Sequence, residues 1–394
     1  MIRKTTILSV AVTSAILLWT LAGCESSKDL PLEAGIGGEA TVGTLHEVVL
    51  PAVQIEQVRT ELNGGASDFI FVGQRKDLRA KALLLFDVFP DSAVASEAEV
   101  RFVIARHYGS GTMHVFAHPV KESWDEYEVR WSNFPAVDTT AVLGEADWTV
   151  ADSQVVSIPL DTAIVNGWMR GTLENHGIAI FPAGYVEILF RLFSVETVNT
   201  DLAPYLWMRY TTNGKVDSAR IFPSADLFVA HRPKPAPDGP YLVSGLVADR
   251  VLVKFDLSSI PSAATINSTQ FEWSIDTSAT FFEDSPILVA LQRVQSYPWD
   301  LQNLAFDTKI NIIRFYLAQG DDILTITSLD EIRRMTDMMQ RLVYGVLSDN
   351  GFVVKMGDED TDFGWIAFTR APGDSTVGPR LVVTYTIPPT VSAP

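Results

Sequence analysis

Residues 81–90, KALLLFDVFP, return further along the chain as residues 250–261, RVLVKFDLSSIP. In both, an apolar run ends in Phe-Asp and is closed by a proline, and the rest of the chain falls into register around this pair. Trp124-Asp125 with Trp131 reappears as Trp299-Asp300 with Phe306. Asn175-His176-Gly177 ahead of an apolar run reappears as Asn350-Gly351. Pro204-Tyr205-Leu206 running to Tyr210-Thr211 reappears as Pro379-Arg380-Leu381 running to Tyr385-Thr386. The landmarks keep one order at a spacing of roughly 175 residues, the signature of an internal repeat. Two homologous domains are expected, residues 46–214 and 215–388, joined at the polar turn-former Thr212-Asn213-Gly214-Lys215 and followed by a tail over 389–394.

Each repeat reads as mostly strand. Residues 81–87, 99–105, 114–118, 178–181 and 206–211 are short runs rich in β-branched or aromatic side chains and bounded by Gly, Pro, Asn or Asp. Phe102 and Ile104 alternate with Arg101, Val103 and Ala105, as on a strand with one face in a core. Many short strands with long returns predict an all-β chain of two tandem jelly-roll-like β-sandwiches. The second repeat adds an inserted amphipathic helix. Ser328-Leu329-Asp330-Glu331 has the form of a capping box, Leu329, Ile332, Met335, Met339 and Leu342 follow at helical spacing, and Gly345 ends the run. A shorter version over 160–171 stands in the first repeat.

The first repeat, through KALLLFDVFPDSAVASEAEVRF, VKESWDEYEVRWSNFP, PLDTAIVNGW, NHGIAIFP and PYLWMRYT, resembles the DNRLRE domain, also called the disaggregatase-related repeat. The second resembles it through DRVLVKFDLSSIPSAATINSTQFEW and PRLVVTYT. It departs in the middle, where the acidic stretch has become YPWDLQNLAF and the helix is inserted. The resemblance spans nearly the whole chain after residue 45 and makes it similar to tandem DNRLRE-domain bacterial lipoproteins. It implies β-sandwich modules of secreted and surface proteins, some of which bind carbohydrate beside polysaccharide-degrading enzymes.

The N-terminus fits that setting. Arg3 and Lys4 precede an apolar run, 6–22, that is too short for a comfortable membrane span. Leu21-Ala22-Gly23-Cys24 then has the form of a lipoprotein signal, and Cys24 is the only cysteine among 394 residues, so it has no disulfide partner. Residues 1–23 are expected to be a removed signal peptide. Cys24 is expected to carry the lipid anchor, and 24–45 to be a flexible tether spanning roughly 25 Å. The formal charge is −18, and losing Arg3 and Lys4 makes it two units more negative. Such a surface argues against nucleic acid as a partner, because phosphates need Lys and Arg. The localisation expected is the bacterial cell envelope, on the outer membrane or a periplasm-facing leaflet.

Three groups of residues could carry chemistry. Trp124 and Trp131 bracket Asp125, Glu126 and Glu128, which could form a sugar platform with hydroxyl acceptors, and Trp299 keeps the aromatic position in the second repeat. The simpler reading makes the tryptophans framework residues and the acids local caps. Asp358, Asp360 and Asp362 alternate as oxygen ligands for a hard cation such as Ca²⁺ would, though the spacing fails the EF-hand pattern. A solvated acidic hairpin tip is the simpler reading there. His114 and His118 lie about 13 Å apart on an extended strand, too far for one metal. The Pro-rich stretch 231–240, HRPKPAPDGP, is a stiff loop or a partner-binding segment. No nucleophile elbow, phosphate loop or zinc-protease motif occurs.

The expectation is therefore a non-catalytic, lipid-anchored binding protein whose ligand is a polysaccharide, with no certain cofactor and Ca²⁺ the one ion the acids would suit. The alternative is a structural or adhesive spacer with a protein partner at the cell surface. A polysaccharide hydrolase or lyase stands third, on the acids beside Trp124.

Overall fold

The computed structural model describes residues 43–150, 155–283, 285–307, 312–370 and 376–388. The leader, Cys24, the tether up to residue 42 and the tail 389–394 lie outside the described residues. Among the described residues no helix is long and apolar enough to cross a membrane.

Twelve strands come from residues before 232: β1 (Thr44–Arg59), β2 (Phe69–Arg75), β3 (Leu78–Leu85), β4 (Val94–Tyr108), β5 (Thr112–Pro119), β6 (Gly144–Thr149), β7 (Val155–Pro159), β8 (Ile178–Pro182), β9 (Ile188–Phe193), β10 (Tyr205–Thr212), β11 (Lys215–Ile221) and β12 (Ala225–His231). Ten follow: β13 (Tyr241–Ser244), β14 (Asp249–Phe255), β15 (Thr265–Ser274), β16 (Phe281–Phe282), β17 (Ile287–Arg293), β18 (Ile313–Leu317), β19 (Ile323–Thr325), β20 (Phe352–Met356), β21 (Gly364–Phe368) and β22 (Arg380–Ile387). Among the described residues two α-helices, α1 (Thr162–Met169) and α2 (Leu329–Val343), complete a nearly all-β structure.

The two halves of the sequence build the same arrangement. The run β6-β5-β8-β3-β12 in the first matches β18-β17-β20-β14-β1 in the second. The runs β11-β10-β4-β7 and β1-β22-β15-β19 match likewise. The small sheet β13-β21-β16 matches β2-β9-β4. One feature of this pattern is invisible from the order of strands along the chain. The first strand of each sequence repeat sits in the other half. β1 pairs with β14, with Ile55 opposite Val253, whereas β12 pairs with β3, with Leu227 opposite Leu83. The stretch Thr212-Asn213-Gly214-Lys215 is therefore not a link between separate sheets. Asn213 and Gly214 both have positive φ, 49° and 73°, and close a two-residue hairpin between β10 and β11. This is the geometry that Asn-Gly favours. The residue boundary at 214/215 divides the repeats in sequence, while 44–59 and 215–231 cross between the sheets they form.

The exchange explains the apolar runs that open the chain's repeat. On β3, Ala82 and Leu84, with Phe86 just beyond, point into the main core of the first half, while Leu83 enters a second apolar layer with Val120, Val129, Ala179, Leu227 and Val229. On β14, Val251, Val253 and Phe255 enter the second core, and Leu252 an outer layer with Val58, Val294 and Val353. A strand covered on both faces needs side chains that are apolar throughout rather than alternating.

The helices depart from expectation in detail. α1 is capped by Asp161, whose carboxylate accepts from Ala163 N at 2.8 Å. At α2 the capping box does not form. Ser328 makes no side-chain cap, and Glu331 is buried and accepts from Arg314 N at 3.1 Å, so β18 takes the carboxylate that the helix start would have used. The buried apolar face is Met335, Met338, Met339 and Leu342, while Leu329 is 71% exposed.

Candidate functional site

The outer apolar layer of the first half is roofed by the loop 120–137, and this roof decides where the named aromatic residues go. Trp124 is half-buried against the layer, and its indole donates to His176 O at 2.8 Å. Trp299 does the same in the second half, donating to Asn350 O at 2.7 Å. Both acceptors precede a glycine, Gly177 or Gly351, with φ of 87° or 80°. A Cβ on either would meet the β3 or β14 backbone at Leu84 O or Val253 O, at 2.4 and 2.6 Å. Trp124 and Trp299 are thus tied into the framework by the same bond. Asp125 accepts from Tyr127 N at 2.8 Å and caps its own loop.

Trp131 packs on the same layer but also reaches the surface. With Phe181, Tyr185, Lys81, Arg79 and Gln74 it borders an open cleft of about 360 Å³. The ammonium of Lys81, on β3, lies 3.4 Å from the ring centre of Phe134, 4.6 Å from that of Trp131 and 5.7 Å from that of Phe181. Three ring faces hold it, a cation–π arrangement. No carboxylate pairs with it among the described residues. Burial lowers its pKa from 10.5 to about 8. His231, on the exchanged strand β12, stacks on Trp131 with ring centres 5.0 Å apart. A row of rings leads on from Phe181 through His118 and Phe116 to His114, with centres 4.9–5.6 Å apart. His114 and His118 are held separately, by Asp147 and by Ala141 O, each at 2.7 Å, so they are not joint metal ligands.

The second half shows what a closed version of the cleft looks like. Arg250 stands where Lys81 stands in the first, with its guanidinium 5.3 Å from the ring centre of Phe306. Phe306 bridges Val294 as Val137 bridges Val120, so it takes the place of Val137 and not, as the sequence repeat suggests, that of Trp131. There the cation is neutralised. Glu359 accepts two bonds from Arg250, each 2.7 Å, and Lys355 lies 3.3 Å away, all three being buried. In the first half the corresponding stretch, Ala183-Gly184-Tyr185, carries no acid, and a Cβ built on Gly184 meets nothing. A cation at the same position is thus sealed in one half and left open in the other.

The acids of 358–362 serve this closure and local turns. Thr361 N and Asp362 N both bond Asp358 O. Burial, then the neighbouring Asp358 charge, raises the Asp360 carboxyl. Asp358, Asp360 and Asp362 do not converge. Among the described residues, carboxylate or imidazole ligand atoms of three residues come within 4.8 Å of one another only at Glu126, Glu196 and Asp226. Glu126 was legible in the motif after Trp124. Glu196, after β9, and Asp226, on β12, lie too far along the chain for spacing to connect them. Burial raises the carboxyl pKa of all three, most strongly at Asp226, where the Glu196 charge adds to it.

Residues 55–210 match the model of carbohydrate-binding module family 96. That span contains the cleft and all of its lining residues, and it supports carbohydrate binding as the general role. No curated protein matches the chain. Solved structures with similarity include the Macrobrachium rosenbergii nodavirus, 12% identical over 98% of this chain and 95% of that one, with a TM-score of 0.13. The T=3 Penaeus vannamei nodavirus is 9% identical over 98% of this chain and 100% of that one, with a TM-score of 0.14. Superpositions of that quality say nothing about fold or role.

Proposed function

We propose that this protein is a non-catalytic polysaccharide-binding protein held at the bacterial cell envelope by a lipid on Cys24, and that the cleft of Lys81, Trp131, Phe181 and Tyr185 is where the sugar sits. The observation that carries the reading is the open cleft itself, inside the span that matches a carbohydrate-binding module. Aromatic rings supply the apolar faces that sugar rings stack on. Lys81, Arg79 and Gln74 supply donors for hydroxyl or carboxylate oxygens. Glu126, Glu196 and Asp226 do not border the cleft, which speaks against their acting as a hydrolytic acid pair on a sugar bound there. The tandem DNRLRE resemblance and the Leu21–Cys24 signal support the surface setting.

A glycan array probed with the purified protein tests the reading. Binding to a polysaccharide class that Lys81→Ala and Trp131→Ala both abolish, without loss of folding, is the expected outcome. Retention of binding in both variants removes the cleft from consideration. Binding to no glycan, together with capture of a surface protein, favours the adhesive spacer. For the anchor, Cys24→Ser should lose alkyne–fatty acid labelling and membrane retention.

A further inference from the structure

We propose that Glu126, Glu196 and Asp226 form a calcium site that fastens the exchanged strand β12 to the loop and turn around it. The three come from different elements: Glu126 from the roof loop after Trp124, Glu196 from the turn after β9, and Asp226 from the start of β12. Their ligand oxygens lie within 4.8 Å of one another. Two oxygens on either side of one Ca²⁺ stand about 4.6–5.2 Å apart, so one ion could bridge oxygens at this spacing. An all-carboxylate set suits a hard cation and not zinc or copper.

The second observation is what the oxygens lack. Asp226 is fully buried. Its Oδ2 accepts from Val195 N at 3.0 Å, but its Oδ1 is buried with no hydrogen-bond partner, and Glu196 Oε2 is in the same position. Unpaired buried carboxylate oxygens are costly, and three acids packed together repel. The surrounding bonds hold them in place nonetheless. Asp226 N donates to Glu126 Oε1 at 2.8 Å, Asn63 donates to Glu126 O at 2.7 Å, and Ser194 Oγ accepts from Glu196 N at 3.1 Å. A divalent cation satisfies the free oxygens and cancels the repulsion together. The second half does not repeat the set, because Leu301 follows Trp299 where Glu126 follows Trp124.

The test uses the purified protein, first stripped of metal with a chelator. Calcium at about a hundred times its Kd should raise the melting midpoint by about 5–10 °C. Terbium, a luminescent stand-in for calcium, should be sensitised by Tyr127 and Trp124 and displaced by calcium. Asp226→Asn, and independently Glu196→Gln at the more exposed ligand, should each abolish the shift and the luminescence. Asp360→Asn should leave both intact. Identical midpoints with calcium and with chelator overturn the proposal and leave three acids that share protons. So does a calcium shift that survives Asp226→Asn or that is lost in Asp360→Asn, and so does a response to magnesium without one to calcium.

Discussion

Lys81 shows most directly how a single side chain trades stability for a site. Burial among three rings lowers its pKa from 10.5 to about 8. The folded protein therefore releases a proton that the unfolded chain still holds. The sign follows: stability rises as pH climbs from about 8 toward 10.5, and the charged amine weighs against the fold below that window. Lys81→Met keeps the contact with the rings and removes the charge. Its melting midpoint at pH 7 should exceed that of the wild type, the alkaline rise should vanish, and glycan binding should fall. A midpoint at or below the wild-type value, measured by thermal melts across pH, would contradict this account. Trp124 is the opposite case. It is a framework residue, half-buried and tied to His176 O. Trp124→Ala should therefore cost near the lower end of about 3–5 kcal/mol in denaturant melts, while Trp131→Ala should cost binding first. Sequence alone brought both tryptophans forward but could not separate them, because each is a Trp beside acids. What separates them is which backbone carbonyl or cleft each one reaches.

The strands were legible and their partners were not. Alternation and β-branched runs mark β3, β4, β5, β8 and β10, because side-chain period follows from strand geometry whatever the neighbour. Pairing is a long-range choice, and nothing local in residues 44–59 says that they lie against β14. One signal of the exchange was available. Asn213-Gly214 between two strand-like runs is a strong hairpin sequence, and a hairpin there must carry 215–221 back onto β10. The capping box failed for a similar reason, since β18 competes for Glu331 through Arg314 N and local sequence does not show the competitor. The exchange makes a sharp prediction about fragments. Residues 60–232 contain β2 to β12 and lack only Leu246, Val247 and Phe363 of the buried core of the first half, whereas 60–214 also ends before the strand that pairs with β3 and leaves Leu83 uncovered on one side. The longer fragment should melt cooperatively and the shorter should not. Equal stability of the two by circular dichroism would show that β12 is dispensable to the half it enters.

Taken together, the two halves are one design with different outcomes at one position. A cation lies against an aromatic ring in both halves, at Lys81 and at Arg250, and what decides accessibility is that Glu359 brings a carboxylate to the second. Glu359 seals Arg250, while 183–185 in the first half bring no carboxylate to Lys81. This was beyond reach from sequence, where the segment 358–362 stood out for its acids and 181–185 for having none. A cleft beside this cation in the first half and a sealed one in the second predict one oligosaccharide site per chain, which titration calorimetry would read as a stoichiometry near one. It also predicts how to close that site. Gly184 has a backbone that any residue can adopt, and its Cβ would meet nothing, so Gly184→Glu should fold normally. The new carboxylate should reach toward Lys81, return its pKa toward the ordinary lysine range, and abolish glycan binding while the melting midpoint holds or rises. Full binding by Gly184→Glu would mean that the sugar is held elsewhere, and that the open cleft beside Lys81 has no part in recognition.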